Sequence, residues 1–226
     1  MNSIRPCILS SSVALTRTLR APPSTRLDFI RIASLSRTAS TYNKVSDVIK
    51  TDHRELEDYY DKMMRATDDD TKTRWQNQFC WELARHSIAE ELVVYPAMEK
   101  NLGVTGKDQA EKDRAQHQTL KEHLKTFQNL ETTDPSFEPT IKALMADLSQ
   151  HIKEEEGSDL PELEKALTAD DSAGLAKSFE RTKMFVPSRS HPSAPNRPPF
   201  ETLAGLLAAP MDKIGDLFRK FPKNKD

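Results

Sequence analysis

The chain has 226 residues, enough for one ordinary domain with tails, and its balance of 36% apolar and 30% charged residues with only 6 glycines suits amphipathic helices better than a sheet. The formal charge of −2 is unevenly divided: residues 1–40 carry six arginines, no lysine and a single acid, Asp28, which leaves −7 for the remainder. An acidic body excludes nucleic acid as an expected partner.

Residues 1–40 are rich in arginine, serine and threonine and poor in acids, the composition of a mitochondrial or plastid transit peptide, and a mitochondrial, matrix location is expected. With Cys7 in this leader, Cys80 remains alone in the body and has no internal disulfide partner, which suits a reducing compartment. No apolar run reaches the ~18 residues of a membrane span.

From Tyr42 the pattern becomes helical. Ile49, His53, Leu56, Tyr60 and Met63 recur at steps of four and three, which predicts a first helix to about Ala66. The acids Asp68, Asp69 and Asp70 before Thr71 mark the start of a second helix to about Asn101, with Trp75, Phe79, Leu83, His86, Glu90, Val93 and Ala97 on its inward stripe. Pro96 should kink or end that helix, and Gly103 in the turn 101–106 is the expected C-terminal cap. A third helix, about Lys107 to Glu131, carries Asp113, His117, Leu120, Leu124 and Phe127 inward and turns His123 away. A fourth, about Phe137 to Glu156, carries Ile141, Leu144, Leu148, His151 and Glu155.

Beyond it, residues 160–185 read as an extension or fifth helix broken by Asp170, Asp171 and Gly174. The organisation expected is therefore a leader (1–40), a helical bundle with its extension (41–185), a linker with five prolines (186–200) and a C-terminal amphipathic helix (201–226). The last element should dock on the bundle. A membrane surface or a protein partner is the alternative, and the mixed charge of Lys213, Arg219 and Lys220 with Glu201, Asp212 and Asp216 argues against the membrane.

Two segments of the body are copies of each other. His86 to Met98 overlies His151 to Leu163 without a gap, matching His86 to His151, Glu90 to Glu155, Glu91 to Glu156 and Pro96 to Pro161. Helical residues four apart lie within about 40° of each other, so each copy aims an imidazole and a carboxylate at one point. His53 and His117 stand at matching places on the preceding helices, so the chain falls into two similar hairpins. Short connections make these an all-α, up-down-up-down four-helix bundle with a C-terminal helical extension.

One such pair is usually a surface hydrogen bond, and one inward histidine is usually a satisfied core residue. Four inward imidazoles converging with two carboxylates on core stripes are different, because ionised carboxylates are costly to bury unless paired or bound to metal. His53, His86, Glu90, His117, His151 and Glu155 are thus the candidate metal ligands. Imidazole with carboxylate and no thiolate suits iron, manganese or zinc over magnesium or calcium.

These residues resemble the hemerythrin family, in particular its HHE cation-binding domains, over about residues 42–165: His53 in DHREL, His86 and Glu90 in HSIAEELVVYP, the inward His117, and His151 and Glu155 in HIKEEEGSDLP. The resemblance implies a bundle with a non-haem di-iron centre, held by the six residues named and bridged by an oxo or hydroxo group and the two carboxylates. Lys121 stands where the oxygen carriers have a further histidine, and Glu156 where they have an aspartate. Four histidines with two glutamates resemble the iron-sensing and iron-handling branches more closely. The expected function is iron handling or sensing, or binding of oxygen or nitric oxide. The alternatives are a di-iron oxidoreductase acting on peroxide, oxygen or nitric oxide, and a metal-free docking module.

Overall fold

A computed structural model describes residues 44–195 and 200–223; the leader expected at 1–40 lies outside them. The described residues form helices and no strand: α1 (Val45–Arg65), α2 (Asp69–Ala89), a π-helical turn (Glu90–Val94), α3 (Tyr95–Phe127), α4 (Phe137–Glu154), a second π-helical turn (Glu155–Asp159), α5 (Leu160–Ala166), α6 (Ala169–Lys183) and α7 (Phe200–Asp216). Helix α1 packs along α2 and α3 along α4, while α6 lies against α1, α2 and the first π turn.

The helix ends follow local chemistry. Asp68 caps α2 by accepting the Thr71 N–H at 2.8 Å, and Asp69 and Asp70 lie in the first turn where the helix dipole favours acids. The second hairpin begins inside α3, where Gly103 adopts φ 65° and reverses the helical path. Three residues on, a Cβ at Gly106 would penetrate the carbonyl of Met98, so the turn needs a bare backbone there as well. The extension is not broken by Asp170 or Asp171. Its break falls at Leu167, Thr168 caps α6 by accepting the Asp171 N–H at 3.1 Å, and the two acids sit in the first turn.

Packing divides the bundle into three levels. At one end Leu56, Met63, Phe79, Leu124, Phe127 and Ile141 belong to one apolar cluster, joined by Tyr59, whereas Tyr60 is only partly buried. At the other end Val48, Ile49, Val94, Met98, Leu160 and Phe179 form a second. All six candidate ligands lie on the helices between these clusters and are buried. No described helix is long and apolar enough to cross a membrane.

Residues 186–195 do not form the free spacer expected of a proline-rich stretch. Val186 to Ser190 are buried, because the strap finds partners for its backbone: the Ser188 and Arg189 N–H groups donate to Asp212 and the Ser190 N–H donates to Gln128. Helix α7 docks against this strap through Asp212 and Asp216, which accept from Ser188, Arg189 and His191. The segment also reaches the bundle as expected, since Arg74 and Asn77 of α2 donate to the Phe221 and Lys220 carbonyls, but Leu207, Met211 and Ile214 of α7 face solvent.

The two glycines give a direct check. Gly106→Ala should lower the unfolding free energy by about 1–3 kcal/mol through overpacking, whereas Gly174→Ala, with nothing near its Cβ, should raise it by about 0.5–1 kcal/mol. Urea denaturation of both variants measures the contrast.

Candidate metal centre

Each π turn begins at the glutamate of a repeat and ends just before its proline. The Tyr95 N–H bonds the Glu90 carbonyl and the Leu160 N–H bonds the Glu155 carbonyl, a five-residue step in both copies. Pro96 and Pro161 have no N–H to continue a four-residue ladder, and their rings crowd the preceding turn. Widening that turn accommodates the ring without ending the helix, so Pro96 neither ends α2 nor breaks the path into α3. In a regular helix adjacent residues point about 100° apart. At the widened turn Glu90 and Glu91 are both fully buried.

The inward atoms form a two-fold pattern. Glu90 lies 3.2 Å from His86 Nε2 and 3.4 Å from His117 Nε2. Glu155 lies 3.3 Å from His53 Nε2 and 4.0 Å from His151 Nε2. Each carboxylate therefore faces one histidine from each hairpin. The rings of His53 and His86 are 4.9 Å apart, and those of His117 and His151 are 4.7 Å apart. His53, His86 and Glu90 form one group able to hold a metal ion, and Glu90, His117 and His151 form a second. His123 is apart from both, part-exposed and 3.0 Å from Asp147.

The opposite edge of each ring is fixed by an acceptor. His53 Nδ1 donates to Glu156 at 2.8 Å, His86 Nδ1 to Asp52 at 3.2 Å, His117 Nδ1 to Glu91 at 3.1 Å and His151 Nδ1 to Gln116 at 2.8 Å. Occupying Nδ1 leaves Nε2 as the inward nitrogen of every ring. These partners repeat too: Asp52 and Gln116 each precede a histidine, and Glu91 and Glu156 each follow a glutamate. The repeat alignment pairs Glu91 with Glu156, yet only geometry shows that each serves a histidine of the other hairpin.

Two lysines complete the network. Lys121, in the place of the further histidine, donates to Glu91 at 2.5 Å. Lys183, at the end of α6, pairs with both Asp52 and Glu82 and is itself buried. It lies between two of the three carboxylates of a further acidic cluster, Asp52, Glu55 and Glu82. No periodicity or motif pointed to Lys183, which comes from the extension. Tyr95, on the first turn of α3, places its hydroxyl 2.9 Å from His117 Nε2.

Protonation follows from these neighbours. Burial opposes charge on His86, but Glu90 and Asp52 outweigh it and push its pKa up to about 10. Burial likewise opposes charge on His117, which Glu90 and Glu91 raise to about 9. His151 is driven well below the usual imidazole range by burial and by His117, so it stays neutral. Burial, followed by the nearby Glu90, raises Glu155 to about 7. Asp113, one turn before His117 and fully buried, is raised to about 8 by burial and then by Glu155 and Asp159.

The donor set fits a first-row metal pair. His53 Nε2, His86 Nε2 and all four carboxylate oxygens of Glu90 and Glu155 are buried without a hydrogen-bond partner in the protein. Buried polar atoms rarely lack one. Imidazole nitrogen with carboxylate oxygen, in two groups sharing a carboxylate, is chemistry suited to iron, manganese or zinc.

Comparison with known proteins agrees with this geometry. The sequence profile of the hemerythrin HHE cation-binding domain matches residues 44–163. The chain belongs to the hemerythrin family. An uncharacterised hemerythrin-like protein of Schizosaccharomyces pombe is 56% identical over 179 residues, covering 79% of this chain and 88% of that protein. A DNA nickase of Nostoc sp. is 21% identical over 145 residues, covering 64% of this chain and 40% of that protein. No solved structure matches. The hemerythrin match ends before α6, so Lys183 is contributed from outside the matched domain.

Replacing Lys183 by methionine should lower the unfolding free energy by about 3–5 kcal/mol, since Asp52 and Glu82 would keep buried charge without their cation. Adding Asp52→Asn and Glu82→Gln should recover much of that loss. Chemical denaturation of the single and triple variants measures both.

Proposed function

We propose that this chain binds a pair of iron ions at the centre and serves iron handling or sensing, or the binding of a diatomic gas, in mitochondria. The observation that carries the proposal is the shared arrangement of Glu90 and Glu155, each facing one histidine from each hairpin, with their oxygens free of protein hydrogen bonds. His53 and His86 would hold one ion and His117 and His151 the other, with the two glutamates between them. A bound iron pair would supply redox change and open coordination positions for a small ligand.

The protein's own contribution is order and exclusion. The Nδ1 acceptors fix the rings, and the apolar levels on both sides keep water from the carboxylates. Lys121 supports iron handling over oxygen carriage, because an ammonium tied to Glu91 stands where the oxygen carriers have a ligand. The arginine-rich, acid-poor leader supports the mitochondrial setting.

Purified protein loaded anaerobically with ferrous iron should retain about two ions per chain, a stoichiometry set by the two ligand groups. His151→Ala should lose metal and His123→Ala should keep it. Competition with manganese and zinc tests metal choice, and sustained consumption of peroxide, oxygen or nitric oxide would reassign the centre to an oxidoreductase. Uptake should also depend on pH. His86 and His117 have folded pKa values above the usual 6.5, so their protonated pairs stabilise the metal-free fold fully below about 6.5 and lose that contribution as pH rises through about 9 and 10. Iron must displace those protons, so affinity should rise with pH across that window and binding should release protons. An affinity that is flat with pH, measured by anaerobic titration in two buffers, would contradict this.

A further inference from the structure

The docking of α7 leaves an apolar ridge uncovered. Leu207, Met211 and Ile214 recur at steps of four and three on one face, Phe218 follows in the turn just past the helix, and each is between 61% and 84% exposed. Met184 and Phe185, just past the end of α6, add two more exposed side chains, at 63% and 58%. They adjoin the ridge, because Lys213 of α7 donates to the Met184 carbonyl at 2.7 Å and lies over the Phe185 ring. A continuous apolar patch of this size on a protein surface marks a contact site.

The charges select what the patch contacts. Asp212 and Asp216 are turned inward: Asp212 accepts from the Ser188 and Arg189 N–H groups and from His191, and Asp216 accepts from the Ser188 hydroxyl and Arg219. Asp212 and Asp216, two of the acids that make the sequence mixed in charge, are therefore spent on the strap and on Arg219. Lys213 of α7 stands where the ridge meets Phe185, and from Phe185 the exposed Arg181 and Lys177 lead back along α6 at four-residue steps. Apolar side chains on one helical face with cations beside them and acids turned inward form the pattern of a helix that lies on an anionic bilayer.

We propose that α7, with the end of α6, is a peripheral membrane contact that seats Leu207, Met211, Ile214 and Phe218 in the interface of an anionic lipid surface. The strap fixes the orientation: its bonds to Asp212 and Asp216 hold α7 with its apolar face outward before any lipid is met. This inference is independent of the metal centre.

The test is co-sedimentation of the full chain with phosphatidylcholine vesicles, with and without phosphatidylglycerol. The arginine-rich leader is present in every protein compared, so the differences report the ridge. Ile214→Asp/Phe218→Asp should weaken vesicle binding by about tenfold or more. Lys177→Glu/Arg181→Glu should weaken binding to the anionic vesicles by about fivefold per charge and leave the neutral vesicles unaffected. Phe218→Trp should shift its emission to the blue when anionic vesicles are added, a readout that does not depend on a destabilising change. Equal vesicle binding by the parent and the Ile214→Asp/Phe218→Asp variant would overturn the proposal. So would light scattering that shows this variant converting a dimer to a monomer with no change on vesicles, which would assign the ridge to a second copy of the chain.

Discussion

Glu90 and Glu155 sit at the middle of the bundle with no solvent contact, between two apolar clusters and facing four imidazoles. Taking an ionised carboxylate out of water costs several kcal/mol even after relaxation, and only opposite charge or a metal offsets it. Burial holds Glu155 partly protonated near neutrality, while Glu90 stays ionised by drawing protons onto His86 and His117. Without metal the centre is therefore a set of shared protons. A pair of divalent ions would replace them with fixed charge, and the same residues serve both states because each Nε2 already points inward.

Two features of the chain make that burial sustainable. The π turns let two consecutive glutamates point into the protein, one toward the centre and one toward a histidine of the other hairpin. The lysines then balance the outer acids, Lys121 beside Glu91 and Lys183 between Asp52 and Glu82. The halves are not identical: His86 leans on a carboxylate, Asp52, and His151 on a neutral amide, Gln116. A carboxylate makes the ring it supports the stronger donor, so the two halves offer unequal electron density to the ions they would hold.

Much of this was legible before the fold was known. Helical periodicity and short connections gave the bundle, and the repeat singled out His86, Glu90, His151 and Glu155 because the same residue types recur at the same spacing. Pro96 and Pro161 were visible as irregularities, but their effect was not. A missing N–H says that the ladder must change, and whether the helix ends or widens is decided by the packing around it. Lys183 was invisible because a lysine at a helix end normally serves the dipole, and only the tertiary path of α6 brings it to Asp52. Which face α7 turns outward is not legible in the sequence for a related reason. Its pattern showed an apolar side and a polar side, but the strap's unpaired N–H groups bound the acids and thereby chose which side faced inward.

The central claim is that both hairpins build one centre for two ions, with Glu90 and Glu155 shared between them. Anomalous diffraction from crystals of the iron-loaded protein tests it most directly. The account predicts two iron peaks between the glutamates, one against His53 and His86 and the other against His117 and His151. A single peak among Asp52, Glu55 and Glu82, or iron held by one hairpin alone, would contradict it.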